Sequence, residues 1–393
     1  MQQVRQPAAE SALQNLALVV SGGGARAAYQ AGVLRWLAQR YPWLRFPILT
    51  GVSAGALNAV YLASHAGSLP EQVEDLAKVW SGLTLDQIFR VDLGSIGSHV
   101  LGWGARLVMG RASSVVKTRS LVDNAPLERL LERTFHTRDG YLYGISENLA
   151  RGSLKAVAIT ASSYSTGQSI TWVQGRDVHG WRRAHRKGQI ADLTLAHVLA
   201  SASLPFFFPA VFIGGCWFGD GGIRLTAPLS PALHLGADRI LVISTRYAPS
   251  GMEWDCPLDN AYPPPVAVAG ALYDAIFFDM LENDALRLKR INTLVSALPE
   301  EGRSGLRDIA LLQLRPSIDL GQLATEHEVS LPGALRFMTR GLGTHQTRHN
   351  DLLSVMLFEP GYTGRLLALG YTDAAARSDE IDAFLTAPSV SGS

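Results

Sequence analysis

Short apolar runs alternate with helical spacing through the first 66 residues. Leu16 to Val20 is wholly apolar and stops at Ser21-Gly22-Gly23-Gly24, the pattern of a strand buried on both faces of a parallel sheet. From Ala25 to Arg40, apolar residues recur at Ala28, Ala31, Leu34 and Leu37, a spacing that predicts an amphipathic helix. A second apolar run, Phe46 to Thr50, ends at Gly51-Val52-Ser53-Ala54-Gly55, and Ala56 to Ala66 is helical again. The order of strand, glycine turn, helix, strand, tight turn, helix predicts a right-handed βαβ unit with a further helix, and hence an α/β fold.

The pattern loosens from about residue 69 to 151, which is expected to be a mostly helical insertion. Within it Gly94 to Gly110 is apolar and glycine-spaced; covering an active site, touching lipid and ordinary packing under a loop are all open readings. Strand signals return at Lys155 to Ala161 and Ser169 to Val173. A helix follows from Leu193 to Ala202, ended by Pro205. Two short runs, Ala210 to Ile213 and Cys216 to Phe218, flank Gly214-Gly215 and predict a hairpin. Further strands are expected at Arg239 to Ser244 and Asp308 to Arg315, separated by a proline-rich loop (249–265) and a helical stretch from Val266 to Leu298. The C-terminal part is expected to be helical at Leu352 to Leu357, Gly364 to Leu369 and Asp373 to Leu385.

Composition narrows the class. The 393 residues are 47% hydrophobic and 18% charged, with a net charge of +1. That suits a large globular core and supplies no global field for nucleic acid. The best candidate for a local basic patch is Trp181-Arg182-Arg183-Ala184-His185-Arg186-Lys187, whose plainer reading is a solvated loop or helix start. Two cysteines, Cys216 and Cys256, make no disulfide framework, and no His/Cys spacing suggests a metal site. The polar N-terminus lacks a secretory apolar core, and no apolar run has spanning length. The expectation is a cytoplasmic protein, with peripheral membrane contact left open.

Three motifs carry chemistry. Gly51-Val52-Ser53-Ala54-Gly55 is a G-x-S-x-G match between an apolar strand and a helical pattern. A nucleophilic serine is presented there on a sharp turn, with Gly51 and Gly55 letting neighbouring backbone approach. Gly22-Gly23-Gly24 leaves backbone N–H groups at a helix start, where they can face an anion. Asp220 follows a hairpin strand and precedes Gly221-Gly222. Alone it reads as a turn aspartate; beside the other two motifs it reads as a base. Arg26 is open between binding a substrate phosphate or carboxylate and a structural role.

Together these motifs resemble the patatin-like phospholipase family, as do Ala200-Ser201-Ala202-Ser203-Leu204-Pro205, Phe208-Pro209 and Leu235-Gly236-Ala237-Asp238. The resemblance covers roughly residues 14 to 247. It implies a three-layer α/β fold whose mostly parallel sheet is flanked by helices. It places a catalytic domain at 14–250, with the insertion at about 69–151, and a mostly helical C-terminal extension at 251–386. It further implies a Ser53–Asp220 dyad without histidine and an oxyanion hole from Gly22, Gly23, Gly24, Ala25 and Arg26. Lipid acyl esters are the implied substrates, and no cofactor or metal is implied. Two positions depart from the family pattern: Ala27 where glycine is usual, and Thr226 where many members carry asparagine.

Competing readings fare less well. Gly22-x-Gly24-x-x-Ala27 fits a loose dinucleotide fingerprint, but no Asp or Glu occurs between Ser11 and Pro70 to bind ribose hydroxyls. An α/β-hydrolase triad has candidate histidines after Asp220, namely His234, His327, His345 and His349. Its oxyanion loop and elbow, however, lie on well-separated strands, whereas Gly24 and Gly51 are 27 positions apart. A non-catalytic lipid-binding protein would not need the strained serine. Neutral glyceride or thioester hydrolysis and acyl transfer remain alternatives on the same machinery.

Overall fold

The computed structural model describes residues 13–89, 122–205, 207–248, 268, 270–272, 274–275, 279–328 and 350–387. The stretches 94–110 and 249–265 lie outside the described residues, as do His345, His349 and Cys256. Among the described residues ten strands form one sheet: β1 (Leu16–Val20), β2 (Ile48–Val52), β3 (Ala156–Ser163), β4 (Ser169–Gly175), β5 (Trp181–Arg183), β6 (Arg186–Ile190), β7 (Val211–Ile213), β8 (Cys216–Asp220), β9 (Arg239–Ile243) and β10 (Ala310–Leu314). Their order is β10-β9-β1-β2-β3-β4-β6-β5, with β8 on β3 and β7 on β8. From β10 to β3 every neighbour is parallel; antiparallel pairs appear at β3–β4, β3–β8, β5–β6 and β7–β8.

Strand alternation builds a core on each face. Leu16, Leu18 and Val20 of β1 join the larger core, beneath α1 (Ala28–Arg40) and α2 (Ala54–Ser64). Ala17 and Val19 point the other way, into a core with residues of α8 (Ser230–His234) and α9 (Asp279–Ala297). This is why the first strand reads as continuously apolar: both its faces are covered. The helices between α2 and α8 are α3 (Leu69–Ser81), α4 (Leu85–Ile88), α5 (Ala125–Thr134), α6 (Tyr143–Arg151) and α7 (Leu195–Ala202). After β10 come α10 (Leu320–His327), α11 (Asp351–Met356), α12 (Pro360–Ala376) and α13 (Ser378–Thr386).

The C-terminal part is woven into the first βαβ unit. Strand β10 extends the sheet beside β9, and α12 packs on α1 at a contact only glycine permits. A Cβ on Gly32 would collide with the Leu367 carbonyl, and one on Gly370 with the Tyr29 carbonyl. Three local expectations are corrected. The basic stretch 181–187 is the β5–β6 hairpin, because its short strands pair at a sheet edge where side chains stay solvated. The helix expected from Ala25 begins as a 3-10 turn, Gly24–Ala27. The runs expected as separate helices at 364–369 and 373–385 form one helix to Ala376 and a second from Ser378.

Candidate active site

Register places the site. Strand β2 pairs with β3 up to Val52↔Thr160, while β8 pairs with β3 from Ser163↔Phe218 down to Ala161↔Asp220. Since β4 runs along the other side of β3, β2 and β8 occupy the same side, end to end. Their C-terminal ends therefore meet, and Ser53 and Asp220 meet with them. The Ser53 hydroxyl donates to Asp220 Oδ2 at 2.6 Å.

Ser53 holds φ 55° and ψ −131°, a conformation that costs a non-glycine residue on the order of 1–3 kcal/mol. Its surroundings enforce it. A Cβ on Gly51 would sit 2.6 Å from the Gly55 carbonyl oxygen, and one on Gly55 would strike the Val20 and Ser21 carbonyls. The Ser53 N–H donates to Ser201 Oγ at 3.0 Å, and Ser201 Oγ donates to the Thr160 carbonyl at 2.7 Å.

Asp220 is fully buried. Its Oδ1 accepts from the Gly222 N–H at 2.8 Å, and its own N–H donates to the Ser203 carbonyl at 2.8 Å. Burial without a counter-charge pushes its carboxyl up to about 7, although the hydrogen bonds from Ser53 and Gly222 pull it down. Gly221 is required beside it, since a Cβ there would strike the Thr160 carbonyl.

The glycine loop lies against the serine. A Cβ on Gly22 would come 3.0 Å from Ser53 Cβ, Gly23 has φ 146° and Gly24 φ 54°. Thr245 Oγ1 donates to the Gly22 carbonyl at 2.6 Å and anchors the loop to the end of β9. Two of the five predicted loop residues behave differently from the glycines. Ala25 is buried within the 3-10 turn. The Arg26 N–H donates to the Gly23 carbonyl at 3.1 Å, and its side chain turns into the protein. There Nε donates to Ser354 Oγ at 2.6 Å and the terminal nitrogen to Asp351 Oδ1 at 2.5 Å. Of the two open readings of Arg26, the geometry favours the structural one: it ties the loop to α11.

An apolar cavity opens from Ser53. Leu57 and Tyr61 of α2, Trp80 of α3, Leu131 of α5 and Met356 of α11 are among its walls. Among the described residues no group of three His, Cys, Asp or Glu side chains is arranged to hold a metal ion. The described late histidines are engaged elsewhere: His234 stacks on Trp181 at 4.5 Å, and His327 lies 3.6 Å from Glu359.

Several supporting residues escape sequence reasoning. Ser201 and Ser203 lay in a quoted motif, yet nothing in the string says that one holds the Ser53 amide and the other the Asp220 amide. Asn58 donates to the Ala27 carbonyl at 3.1 Å and accepts from Trp80 Nε1 at 2.8 Å, joining the loop to the cavity wall. The two departures are accommodated: Ala27 is wholly buried, and the Thr226 N–H closes a turn onto the Arg224 carbonyl.

The family described as patatin-like phospholipase matches residues 18–233. No curated protein matches the chain. Among solved structures, VipD from Legionella pneumophila is 13% identical with a TM-score of 0.38, over 93% of this chain and 66% of that one. Human GIVD cytosolic phospholipase A2 is 11% identical with a TM-score of 0.46, over 96% and 62%. The type III effector protein ExoU is 13% identical with a TM-score of 0.37, over 93% and 52%. The chain thus spans less than two thirds of the length of each of these proteins.

Proposed function

The chain belongs to the patatin-like phospholipase family, and on that premise we propose that it hydrolyses lipid acyl esters through a Ser53–Asp220 dyad, in the manner of a phospholipase A or lysophospholipase. The observation that carries this reading is the 2.6 Å bond from Ser53 to a buried carboxylate at the mouth of an apolar cavity. The cavity receives the acyl chain, since its aliphatic and aromatic walls suit an apolar tail.

Asp220 takes the proton from Ser53 as Oγ attacks the ester carbonyl. The N–H groups of Gly23 and Gly24 face the oxyanion, a contribution worth about 3–4 kcal/mol per donor in comparable sites. Collapse breaks the ester C–O bond, and Asp220 returns the proton to the departing alcohol. Water then loses a proton to Asp220 and attacks the acyl-enzyme; the fatty acid leaves and Ser53 regains its proton. The hydroxyl donates directly to the carboxylate, in the place an imidazole holds in a triad, which favours the dyad over the triad.

The test is turnover of p-nitrophenyl esters from acetate to palmitate. The wild type is expected to prefer long chains, and Ser53→Ala to be inactive. Turnover that survives Ser53→Ala, or a preference for acetate, contradicts the reading.

A further inference from the structure

The edge of the sheet beside the dyad carries an uneven distribution of residues. The two segments flanking the β3–β4 turn and the β5–β6 turn reach this edge, because Ser162 pairs with Ser169, Ser169 with Arg186, and Arg186 with Arg183. The β7–β8 hairpin projects past it, since Phe218 already pairs with the last residue of β3. Residues 162–169, 182–187 and 211–226 contain Arg182, Arg183, Arg186, Lys187 and Arg224, with His185, and their one acid is the buried Asp220.

Large aromatic rings stand exposed along the same edge, two of them on the other side of β3 from the basic turn. Phe212 and Trp217 are opposite each other across β7 and β8, with centroids 4.9 Å apart, and are 57% and 37% exposed. Tyr164, 49% exposed, lies over Gly219, two residues on from Trp217 and so on the same face of β8. Arg183 and Arg186 form a cross-strand pair near His234, and their charge helps hold that imidazole below its usual range, after the larger effect of burial. Arg186 also faces Asp284; Arg182 and Arg183 are exposed.

We propose that this edge, with Tyr164, Phe212 and Trp217 as apolar anchors and Arg182, Arg183 and Lys187 as the charged rim, docks on an anionic lipid bilayer. The chemistry is that of a membrane interface: amphipathic rings settle at headgroup depth, and cations along the same edge meet lipid phosphates. The absence of exposed acids from these segments gives the charge complementarity. Docking here sets the end of β8, and therefore Asp220 and the cavity beyond Ser53, against the surface that holds the substrate. The basic turn lies three strands from β3, about 14 Å at ordinary strand spacing. The inference rests on the lipid-ester reading for its purpose but not for its test.

The test is flotation of the Ser53→Ala protein, which leaves the lipid intact, with vesicles of phosphatidylcholine alone or mixed with phosphatidylglycerol. Binding is expected to the mixed vesicles and to weaken with salt. Each basic residue contributes about fivefold to partition near an anionic surface. The triple substitution Arg182→Gln, Arg183→Gln and Lys187→Gln is therefore expected to lower binding about a hundredfold. Phe212→Ser with Trp217→Ser is expected to lower it about tenfold or more. With Ser53 restored, p-nitrophenyl butyrate turnover is expected to stay within about twofold of wild type. Absence of binding to the mixed vesicles, binding indifferent to both sets of substitutions, or duplex DNA captured in place of vesicles overturns the proposal. Vesicle binding without ester turnover leaves the docking edge standing and removes the hydrolase reading instead.

Discussion

Two buried ionisable groups sit at the same end of the sheet and behave in opposite ways. Arg26, 3% exposed, has its counter-ion in Asp351 and a second acceptor in Ser354. Asp220 has neutral donors only, Ser53 and Gly222. A buried charge with an opposite charge keeps it and becomes a fastener. A buried carboxylate without one is pushed to about 7, which suits the role of base proposed for it near neutral pH. The sequence places both residues next to glycines; the partner separates them.

The largest effect that sharpens this contrast is on turnover. Ser53→Ala and Asp220→Asn are each expected to lower kcat by about four orders of magnitude or more. Arg26→Met is expected to act first on stability. It strands Asp351 beside Asp274, whose own carboxyl is already raised to about 7 by burial and then by Asp351, and it should cost about 3 kcal/mol in chemical denaturation. Arg26→Met that leaves stability unchanged but abolishes turnover would break the contrast and make Arg26 a substrate ligand.

Stability and pH give the next effect. The folded-state value of Asp220 lies above its unfolded value, so protonation favours the folded state. The stability this confers is present at acidic pH and is lost as pH rises through about 7. Asp220→Asn is accordingly expected to melt higher than the wild type at pH 8, although it is inactive, and the gap should shrink towards pH 5. Turnover runs the other way: kcat/KM is expected to fall about tenfold per pH unit below about 7, because the base must be ionised. A flat profile between pH 5 and 8 would remove Asp220 as the base. The smallest effect belongs to the cavity. Leu131→Trp is expected to shift ester preference towards shorter chains by about tenfold in kcat/KM.

The same contrast shows what a string of residues reveals. The elbow, the glycine loop and the strands β1, β2, β3 and β9 are legible because local backbone needs write themselves as glycines and as continuous apolar runs. The head-on meeting of β2 and β8 is not legible, since it depends on how far each strand pairs along β3. The cavity is assembled from helices scattered between residues 54 and 358, each reading as ordinary core. The basic stretch 181–187 looks like any solvated segment until its pairing puts it at the sheet edge that carries Ser53 and Asp220. Arg26 is the sharpest case, because its partner lies 325 residues away.

The measurement that tests the central claim most directly is intact-protein and peptide mass spectrometry after reaction with a long-chain alkyl fluorophosphonate. One adduct, on Ser53, is expected in the wild type. It should be slowed by several orders of magnitude in Asp220→Asn and absent in Ser53→Ala, with Arg26→Met still labelled wherever it remains folded. A folded wild type that stays unlabelled, or an adduct on another residue, would contradict the account.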